Sequence, residues 1–474
     1  MATKKTTKKI SKKKQSPGKA AKRSSKKANA ATAKTKGKLR VRMYRVGFGD
    51  FFLLTVPTKT GPQHILIDCG VHAGNINSID ECVQDLAKET NQKLALVIAT
   101  HYHADHLSGF ATNFDEFAKF EVGAVWITNR LDPANKKAAA FKAQITSLAG
   151  QLQMRLGARD DEVAAKINDA LGVKGNDKEG SNDKALRLLT SGFKNKPPVF
   201  YYQGGDEPHL PDSLKGAITA ELLGPAPIDS DGEFTASDNK TEQYLAAAGE
   251  KGLPPASMLL PFEKEWPASA ADYHETAFSA YGSPAELEKI LHSAQPDVLL
   301  AMADAIDGTL NNQSLVVLFT CKGKKLLFVG DAQWGNWSYW LYGKKVSGKD
   351  PGIQQTAKDL LGSIDFYKVG HHGSTNANPI PAIAALNKEC ASMCSTESSD
   401  PDGKRPYGKI DKQTEVPRIK LMEEMEKRTG SRLVRSDWIK VLNVHASPEA
   451  KSQLKKLPAN FVQGDLYIDY VFPA

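Results

Sequence analysis

The chain has 474 residues, of which 41% are apolar and 25% charged, a balance typical of a globular protein with a large core. No apolar run approaches the roughly 20 residues that span a bilayer, and the N-terminal segment has charges but no apolar stretch, which argues against a membrane span and a secretory signal. Five scattered cysteines predict free thiols in a reducing compartment. We expect a cytoplasmic location, with the nucleoid or, in a eukaryote, the nucleus as alternatives.

The net charge of +9 is concentrated in the first 40 residues, which hold 16 lysines and arginines and no acidic residue. Subtracting those 16 charges leaves −7 for the other 434 residues, so a mildly acidic protein carries a strongly basic tail. Residues 1–38 have almost nothing to bury and are predicted to be disordered. Representative basic positions of the tail are Lys12, Lys13, Lys14, Lys22, Arg23, Lys26 and Lys27.

Dense lysine without fixed geometry favours sequence-independent contact with phosphates. The tail therefore predicts nucleic acid or another polyanion as a partner. A solubilising arm and, in a eukaryote, a nuclear import signal are the alternatives.

Ordered structure is predicted for one domain of residues 39–474. Its first half reads as three strands, a helix and two more strands, in the order LRVRMYRVG, FFLLTVP, HILIDCG, SIDECVQDLAKET, LALVIA and GAVWITN. Residues 133–195, with a long amphipathic helix, and residues 225–300, with a short helix, are interpreted as insertions on a common core. Between them, PPVFYYQGG and GAITAELLGP predict a strand pair.

The second half of the chain returns to strong strand patterns. SLVVLFTCKGKKLLFVGD predicts a hairpin around KGKK, and IDFYKVGHHGST predicts a strand that ends in a polar turn. PRIKLMEEMEKR predicts an amphipathic helix, and DWIKVLNV and DLYIDYVF predict closing strands.

Directly after LALVIA, the stretch THYHADHLSGF places four ligand-type side chains within six positions, namely His101, His103, Asp105 and His106. Ligands on one helix face lie three or four residues apart, so this spacing is typical of a strand-to-loop junction. Imidazole and carboxylate together favour zinc, manganese or iron over calcium. A surface histidine cluster, or histidines that satisfy core hydrogen bonds, is the alternative.

Ligand-type residues also stand at the ends of other predicted strands. Asp331 follows KLLFVG, and His371 and His372 follow DFYKVG. Asp68 ends ILID, where it could orient a ligand rather than bind metal itself. Strand ends that meet at one sheet edge are a common place for such sites.

In this order, the motifs ILIDCG, HYHADH, VGDAQ and KVGHHGST resemble the metallo-β-lactamase fold superfamily. Together with RVGFGDFFLL, they are most similar to its ComEC-like, competence-type branch. The resemblance covers about residues 39–130, 200–224 and 310–445. It implies an α+β fold, a four-layer αββα sandwich, with one or two divalent ions, Zn²⁺ or Mn²⁺, at one edge.

The resemblance also implies roles for residues. The first metal would be held by His101 and His103, and the second by Asp105, His106, bridging Asp331 and either His371 or His372. The catalytic set would be Asp105, Asp331, His372, Lys368 and Ser374, the last two as contacts for a phosphate-like oxygen. Lys368 as a solvated surface residue is the alternative.

The sequence departs from the family pattern at three places. Where many members supply a further histidine to the first metal, this chain has Asn311 or Asn312, which makes a single ion or Mn²⁺ in place of Zn²⁺ an option. Phe48 stands where the opening motif usually has glutamine. The histidine of a later Tyr-Gly-His-Pro stretch is missing.

Three functions follow as hypotheses. The first is a nuclease or phosphodiesterase that uses a metal-activated hydroxide, with the tail tethering nucleic acid. The second is a hydrolase of a small ester, lactone or phosphocholine-type substrate. The third is a nucleic-acid-binding protein whose metal site is only structural.

Overall fold

A computed structural model describes residues 37–72, 76–143, 146, 181–228, 308–343, 353–397, 415–430, 432–437 and 457–473. The basic tail up to residue 36, most of both insertions and the predicted strand DWIKVLNV lie outside the described residues. Within the part of the chain that is described, no helix has the length and apolar composition that a membrane span requires.

The described strands are β1 (Arg40–Tyr44), β2 (Phe51–Thr58), β3 (Gly61–Cys69), β4 (Lys93–Ala99), β5 (Glu121–Thr128), β6 (Val199–Tyr202), β7 (Thr219–Gly224), β8 (Val316–Cys321), β9 (Lys324–Phe328), β10 (Phe366–Lys368), β11 (Ala391–Cys394), β12 (Leu433–Arg435), β13 (Phe461–Gln463) and β14 (Tyr467–Val471). The helices are α1 (Ile79–Thr90), α2 (Ala104–Thr112), α3 (Phe114–Phe117), α4 (Ser181–Arg187), α5 (Trp334–Tyr342), α6 (Gln355–Gly362), α7 (Ile380–Ala385) and α8 (Ile419–Arg428). Leu188–Gly192 continues α4 as a π-helical turn.

The described strands form two mixed sheets. The first has eight strands in the order β13-β14-β1-β2-β3-β4-β5-β6, and the second has six in the order β12-β11-β10-β9-β8-β7. Strands β3 to β6 run parallel to one another in the first sheet, as do β9 to β12 in the second, whereas β2–β3 and β8–β9 are antiparallel pairs. Binding sites in sheets with parallel strands usually lie at the carboxyl ends of those strands.

Three apolar clusters separate four layers. The central cluster joins the facing sides of both sheets, with Val41 and Ile98 from the first and Phe328 from the second. A second cluster packs the outer face of the first sheet against α1 and α2, and a third packs the second sheet against α5, α6 and α8. This order of layers is the predicted αββα sandwich, so the fold class is confirmed.

Strand β4 shows how the sequence dictates these layers. Leu96 and Ile98 face the central cluster, while Val97 and Ala99 face the helices. A strand buried on both faces needs a continuous apolar run, and LALVIA is such a run. The hairpin of β8 and β9 around Lys322 and the five free, buried cysteines are confirmed as well.

The predicted pairing of PPVFYYQGG with GAITAELLGP is wrong. Both segments are strands, but β6 pairs in parallel with β5 in the first sheet, and β7 pairs antiparallel with β8 in the second. Between them the chain crosses from one sheet to the other, and Leu214 and Ile218 enter the central cluster on the way. Strand propensity is local, whereas the choice of partner depends on distant segments.

The first and last described strands are tied by a buried charge network. Arg42 on β1 is fully buried and donates from Nε to Asp469 Oδ1 on β14 across 2.8 Å. Its Nη1 donates to Asp85 Oδ2 on α1 across 2.9 Å, and its guanidinium lies 3.3 Å from the ring centroid of Tyr467. The buried cation therefore has anionic and aromatic partners, which offset its desolvation.

Candidate metal centre

The candidate site lies where parallel strands end. Asp68 is near the end of β3, and the segment from His101 to His106 follows its parallel neighbour β4. Asp331 follows β9, and His371 and His372 follow its parallel neighbour β10. The structure thus brings strand ends of both sheets together, as the sequence pattern indicated.

One buried group contains Asp105, His106, Asp331 and His372, whose ligand atoms lie within 4.8 Å of one another. His372 Nε2 is 2.7 Å from Asp105 Oδ2 and 3.7 Å from Asp331 Oδ2. His106 Nε2 is 3.1 Å from Asp331 Oδ2. These are separations at which one cation can contact several of the side chains.

A second group shares one carboxylate with the first. His101, His103 and Asp105 also place ligand atoms within 4.8 Å of one another. His101 Nε2 lies 3.2 Å from His103 Nδ1. Because Asp105 belongs to both groups, the site has room for one ion or for two neighbouring ions.

Hydrogen bonds to the far side of two imidazoles fix which nitrogen faces the site. Asp68 Oδ2 lies 2.7 Å from His106 Nδ1, which donates to it. The backbone oxygen of Ser395 lies 2.9 Å from His372 Nδ1 and accepts its proton in the same way. Nε2 of each ring is then directed at the cluster while the other ring nitrogen is held by a protein acceptor, as is usual for metal-binding histidines.

Asp68 has further hydrogen bonds that hold it in place. It accepts from the backbone N–H of Thr100 across 2.8 Å and from its hydroxyl across 2.7 Å. Its own backbone is left-handed, with φ of 55°. The sequence-based interpretation of Asp68 as an orienting residue agrees with this geometry.

Within the described part of the chain, several buried polar atoms of the cluster have no hydrogen-bond partner. They include Asp105 Oδ1, His106 Nε2 and Asp331 Oδ2. Buried polar atoms without partners cost free energy, and three of them converging on one point mark a place for a bound group. The donor set of imidazole nitrogen and carboxylate oxygen fits a divalent transition-metal ion.

Asp50 is a site residue that sequence reasoning missed. Its buried carboxylate pairs with Lys368, and its oxygens lie 3.8 Å from Nδ1 of His106 and 3.8 Å from Nδ1 of His372. Its backbone N–H donates to the carbonyl of Asp105 across 3.0 Å. The only signal in the sequence was Gly-Asp before a strand, which usually marks an ordinary turn.

Lys368 is buried, so the alternative of a solvated surface residue is wrong. Its ammonium group contacts Asp50, donates to the carbonyl of Gly330 across 2.7 Å and lies 3.2 Å from Asp331 Oδ1. These contacts use the three donors of the ammonium within the protein. Lys368 therefore supplies positive charge beneath the carboxylates rather than reaching outward to a substrate.

The two oxygens of Asp331 have different surroundings. Oδ1 accepts from Lys368 and from the backbone N–H of His371, each across 3.2 Å. Oδ2 faces Nε2 of His106 and of His372 and has no hydrogen-bond partner among the residues that the structure describes. One oxygen is thus held by the protein and the other is presented to the cluster.

The adjacent histidines take different positions. His372 is buried and belongs to the first ligand group, while His371 is 22% exposed and its Nε2 lies 3.9 Å from Asp331 Oδ2. Both have left-handed backbones, with φ of 46° and 52°, a costly conformation for non-glycine residues that is concentrated at functional sites. Ser374, the other predicted contact, donates to Asn376 Oδ1 across 3.0 Å and lies outside both groups.

Close backbone contact joins the loops beneath the ligands. A Cβ atom on Gly70 would lie 2.4 Å from the carbonyl carbon of Asp105, and one on Gly49 would lie 2.2 Å from the carbonyl oxygen of Gly70. These distances are shorter than any side chain tolerates, so glycine is required at both positions.

The pKa directions follow from burial opposed by neighbouring charge. Burial acts to lower the pKa of His106, but Asp331 and Asp105 outweigh it and raise that pKa well above its ordinary value. Burial acts to raise the pKa of Asp331, but His106 and Lys368 hold it well below its ordinary value. Binding of a cation to this cluster is therefore expected to displace protons.

Similarity to known proteins is found in the comparison with solved structures and not in the sequence comparisons. No protein-family model matches the sequence, and no curated protein matches it. Among solved structures, the metallo-β-lactamase fold protein YhfI from Bacillus subtilis has 9% identity and a TM-score of 0.31, over 84% of this chain and 96% of its own. A β-lactamase domain protein from Burkholderia ambifaria has 16% identity and a TM-score of 0.21, over 39% of this chain and 44% of its own. Neither transfers an activity to this chain, and the fold rests on the sheets and core clusters described above.

Proposed function

We propose that this protein is a metal-dependent hydrolase that cleaves phosphodiesters, with nucleic acid as its substrate class. The observation that carries the proposal is the convergence of two ligand groups on Asp105, with carboxylate oxygens that lack hydrogen-bond partners among the described residues. Two neighbouring divalent ions are typical of phosphatases and nucleases, whereas a purely structural site usually holds one ion with four protein ligands.

Each part of the site has a task in this proposal. Divalent ions held there would lower the pKa of a coordinated water and stabilise negative charge on the oxygen under attack. Asp68 and the carbonyl of Ser395 keep the Nδ1 protons of His106 and His372 pointing away from the cluster. His106 and Lys368 hold the pKa of Asp331 well below its ordinary value. His371, whose side chain is 22% exposed, would contact the substrate.

The choice of phosphodiesters has separate support. The resemblance of KVGHHGST and VGDAQ to the competence-type branch favours nucleic acid, and the lysine-rich tail favours a polyanion as partner. Small esters, lactones and phosphocholine-type compounds are the competing substrates.

The test is cleavage of linear DNA, linear RNA and bis(4-nitrophenyl) phosphate by the purified full chain with Mn²⁺ or Zn²⁺. Asp331→Asn keeps the shape of the side chain but removes the charge, and it should abolish cleavage. Asp365→Asn is the matched control, because Asp365 pairs with Lys324 away from the site and should leave activity unchanged. If the metal-loaded protein cleaves none of the diesters but hydrolyses an ester or lactone, the phosphodiesterase proposal fails and the small-molecule hydrolase replaces it.

A further inference from the structure

Asn311 approaches the ligand group formed by His101 and His103. Its side chain is fully buried, and its Oδ1 lies 2.9 Å from His103 Nδ1. The neighbouring Asn312 is used differently, because its Oδ1 accepts from the backbone N–H of Asn336 across 3.0 Å. Of the two asparagines, Asn311 is therefore the one whose amide oxygen contacts a candidate ligand.

The hydrogen bonds around Thr100 fix which nitrogen of His101 carries its proton. The hydroxyl of Thr100 donates to Asp68, so it can only accept from His101 Nδ1, which lies 3.1 Å away. His101 therefore carries its proton on Nδ1 and a lone pair on Nε2. That lone pair and the amide oxygen of Asn311 both face His103 Nδ1, at 3.2 and 2.9 Å.

A single proton on His103 Nδ1 cannot make two linear hydrogen bonds. A cation between the three atoms would contact all of them at once. Ligand atoms about 2.0–2.1 Å from a common ion are about 2.9–3.4 Å apart in octahedral or tetrahedral geometry, and both observed separations fall in that range.

We propose that the amide oxygen of Asn311 is a metal ligand, together with His101 Nε2 and His103 Nδ1, in the group to which Asp105 also belongs. The inference rests on the proposed function in that it concerns the same metal centre, and it adds a preference among metals. A neutral amide oxygen is a harder ligand than an imidazole, so the site should favour Mn²⁺ relative to Zn²⁺ more than a site with a third histidine would.

The experiment measures metal binding without substrate. Metal-free full-length protein is titrated with Mn²⁺, followed by the loss of the free-ion EPR signal, and with Zn²⁺ in competition with a chromophoric chelator. The phase that His103→Ala removes identifies the site. In that phase, Asn311→Ala should weaken Mn²⁺ binding about tenfold or more, and Asn311→His should raise the ratio of Zn²⁺ to Mn²⁺ affinity by at least about tenfold.

Asn129→Ala is the matched control, because Asn129 is a buried amide that donates to Gln203. Its metal affinities should equal those of the wild type. If Asn311→Ala weakens binding no more than Asn129→Ala does, or if Asn311→His leaves the affinity ratio unchanged, the inference is overturned. If a variant does not fold, Asn311→Asp replaces it and should tighten Mn²⁺ binding, and an unchanged affinity there rejects the ligand role.

The two proposals fail in different ways. A protein whose metal affinities depend on Asn311 but which cleaves no diester keeps this inference and loses the proposed nuclease. A protein that cleaves diesters but whose metal affinities do not change on substitution of Asn311 keeps the proposed nuclease and loses this inference.

Discussion

Lys368 and Asp50 form an ion pair in the interior, where each side chain is only 2% exposed. The same ammonium group lies 3.2 Å from Asp331, so one lysine partly neutralises two carboxylates next to the candidate ligands. Burial acts to lower the pKa of Lys368, but these carboxylates outweigh it and raise that pKa above its ordinary value. The cation is therefore a fixed part of the site.

Lys368→Met should destabilise the protein strongly, because it leaves Asp50 buried without a counter-charge. We expect the free energy of unfolding to fall by about 3–5 kcal/mol, as is usual when one partner of a buried pair is removed. The double variant Asp50→Asn/Lys368→Met should lose less than Lys368→Met alone. Chemical denaturation monitored by tryptophan fluorescence measures both.

Lys324→Met is the matched control, since Lys324 pairs with Asp365 where both side chains are partly exposed. It should change the free energy of unfolding by at most about 1 kcal/mol. Similar losses for the two lysine variants would show that the buried pair has no special role.

Asp68→Asn should weaken metal binding more than it weakens the fold. An asparagine cannot accept from His106, from the Thr100 hydroxyl and from the Thr100 backbone together, so the imidazole loses its fixed orientation. We expect metal affinity to fall about 10–100-fold, as for other residues that orient metal-binding histidines. Isothermal titration with Mn²⁺ measures it, with Asp365→Asn as the control, and an unchanged affinity would remove Asp68 from the site.

We predict that the buried His64 makes the protein less stable in mild acid. Burial is the main cause that lowers its pKa from 6.5 to about 4, and its ring lies 3.3 Å from the hydroxyl of Thr55. Because the folded pKa is below the unfolded one, protons bind the unfolded chain more tightly. The stabilisation is complete above pH 6.5 and is lost as the pH falls towards 4, by about 3 kcal/mol.

The measurement compares the free energy of unfolding at several pH values between 4 and 7 for the wild type and for His64→Asn. The variant should lack this part of the pH dependence, whereas His209→Asn, at an exposed histidine, should retain it. Parallel curves for wild type and His64→Asn would contradict the prediction.

Removal of residues 1–38 should reduce cleavage of long nucleic acid chiefly at low salt. A flexible basic tail raises the local concentration of a polyanion and loses that effect as salt screens the charges. Hydrolysis of bis(4-nitrophenyl) phosphate should be unchanged, because the tail adds nothing to the chemistry. An equal loss on both substrates would argue against tethering.

The layers of this fold were predictable because the apolar patterns are strong and local. LALVIA and KLLFV are short, mostly apolar runs of the length typical of buried strands, and the histidines and aspartates that follow them stand at the sheet edge where the strands end. The candidate site was predictable for the same reason, since strand ends place His101 and Asp331 without any knowledge of side-chain packing.

The contacts of individual charged residues were not predictable in this way. Asp50 and Lys368 are far apart in the sequence, and neither motif shows that the two side chains meet. The choice of His372 over His371 depends on two left-handed residues in one turn, which no spacing rule encodes. Strand β7 joined a different sheet from β6 because pairing is decided by distant segments.

The pairing of β1 with β14 has a consequence for how the chain is made. Arg42 and Asp469 are 427 positions apart, so a ribosome releases the arginine long before its partner exists. Until β14 is synthesised, β1 has an open edge that can pair with other chains, and a buried cation lacks an anion. Strand β14 therefore covers the edge of β1, and a nascent chain that stops short of it would expose that edge to aggregation and to chaperones and proteases.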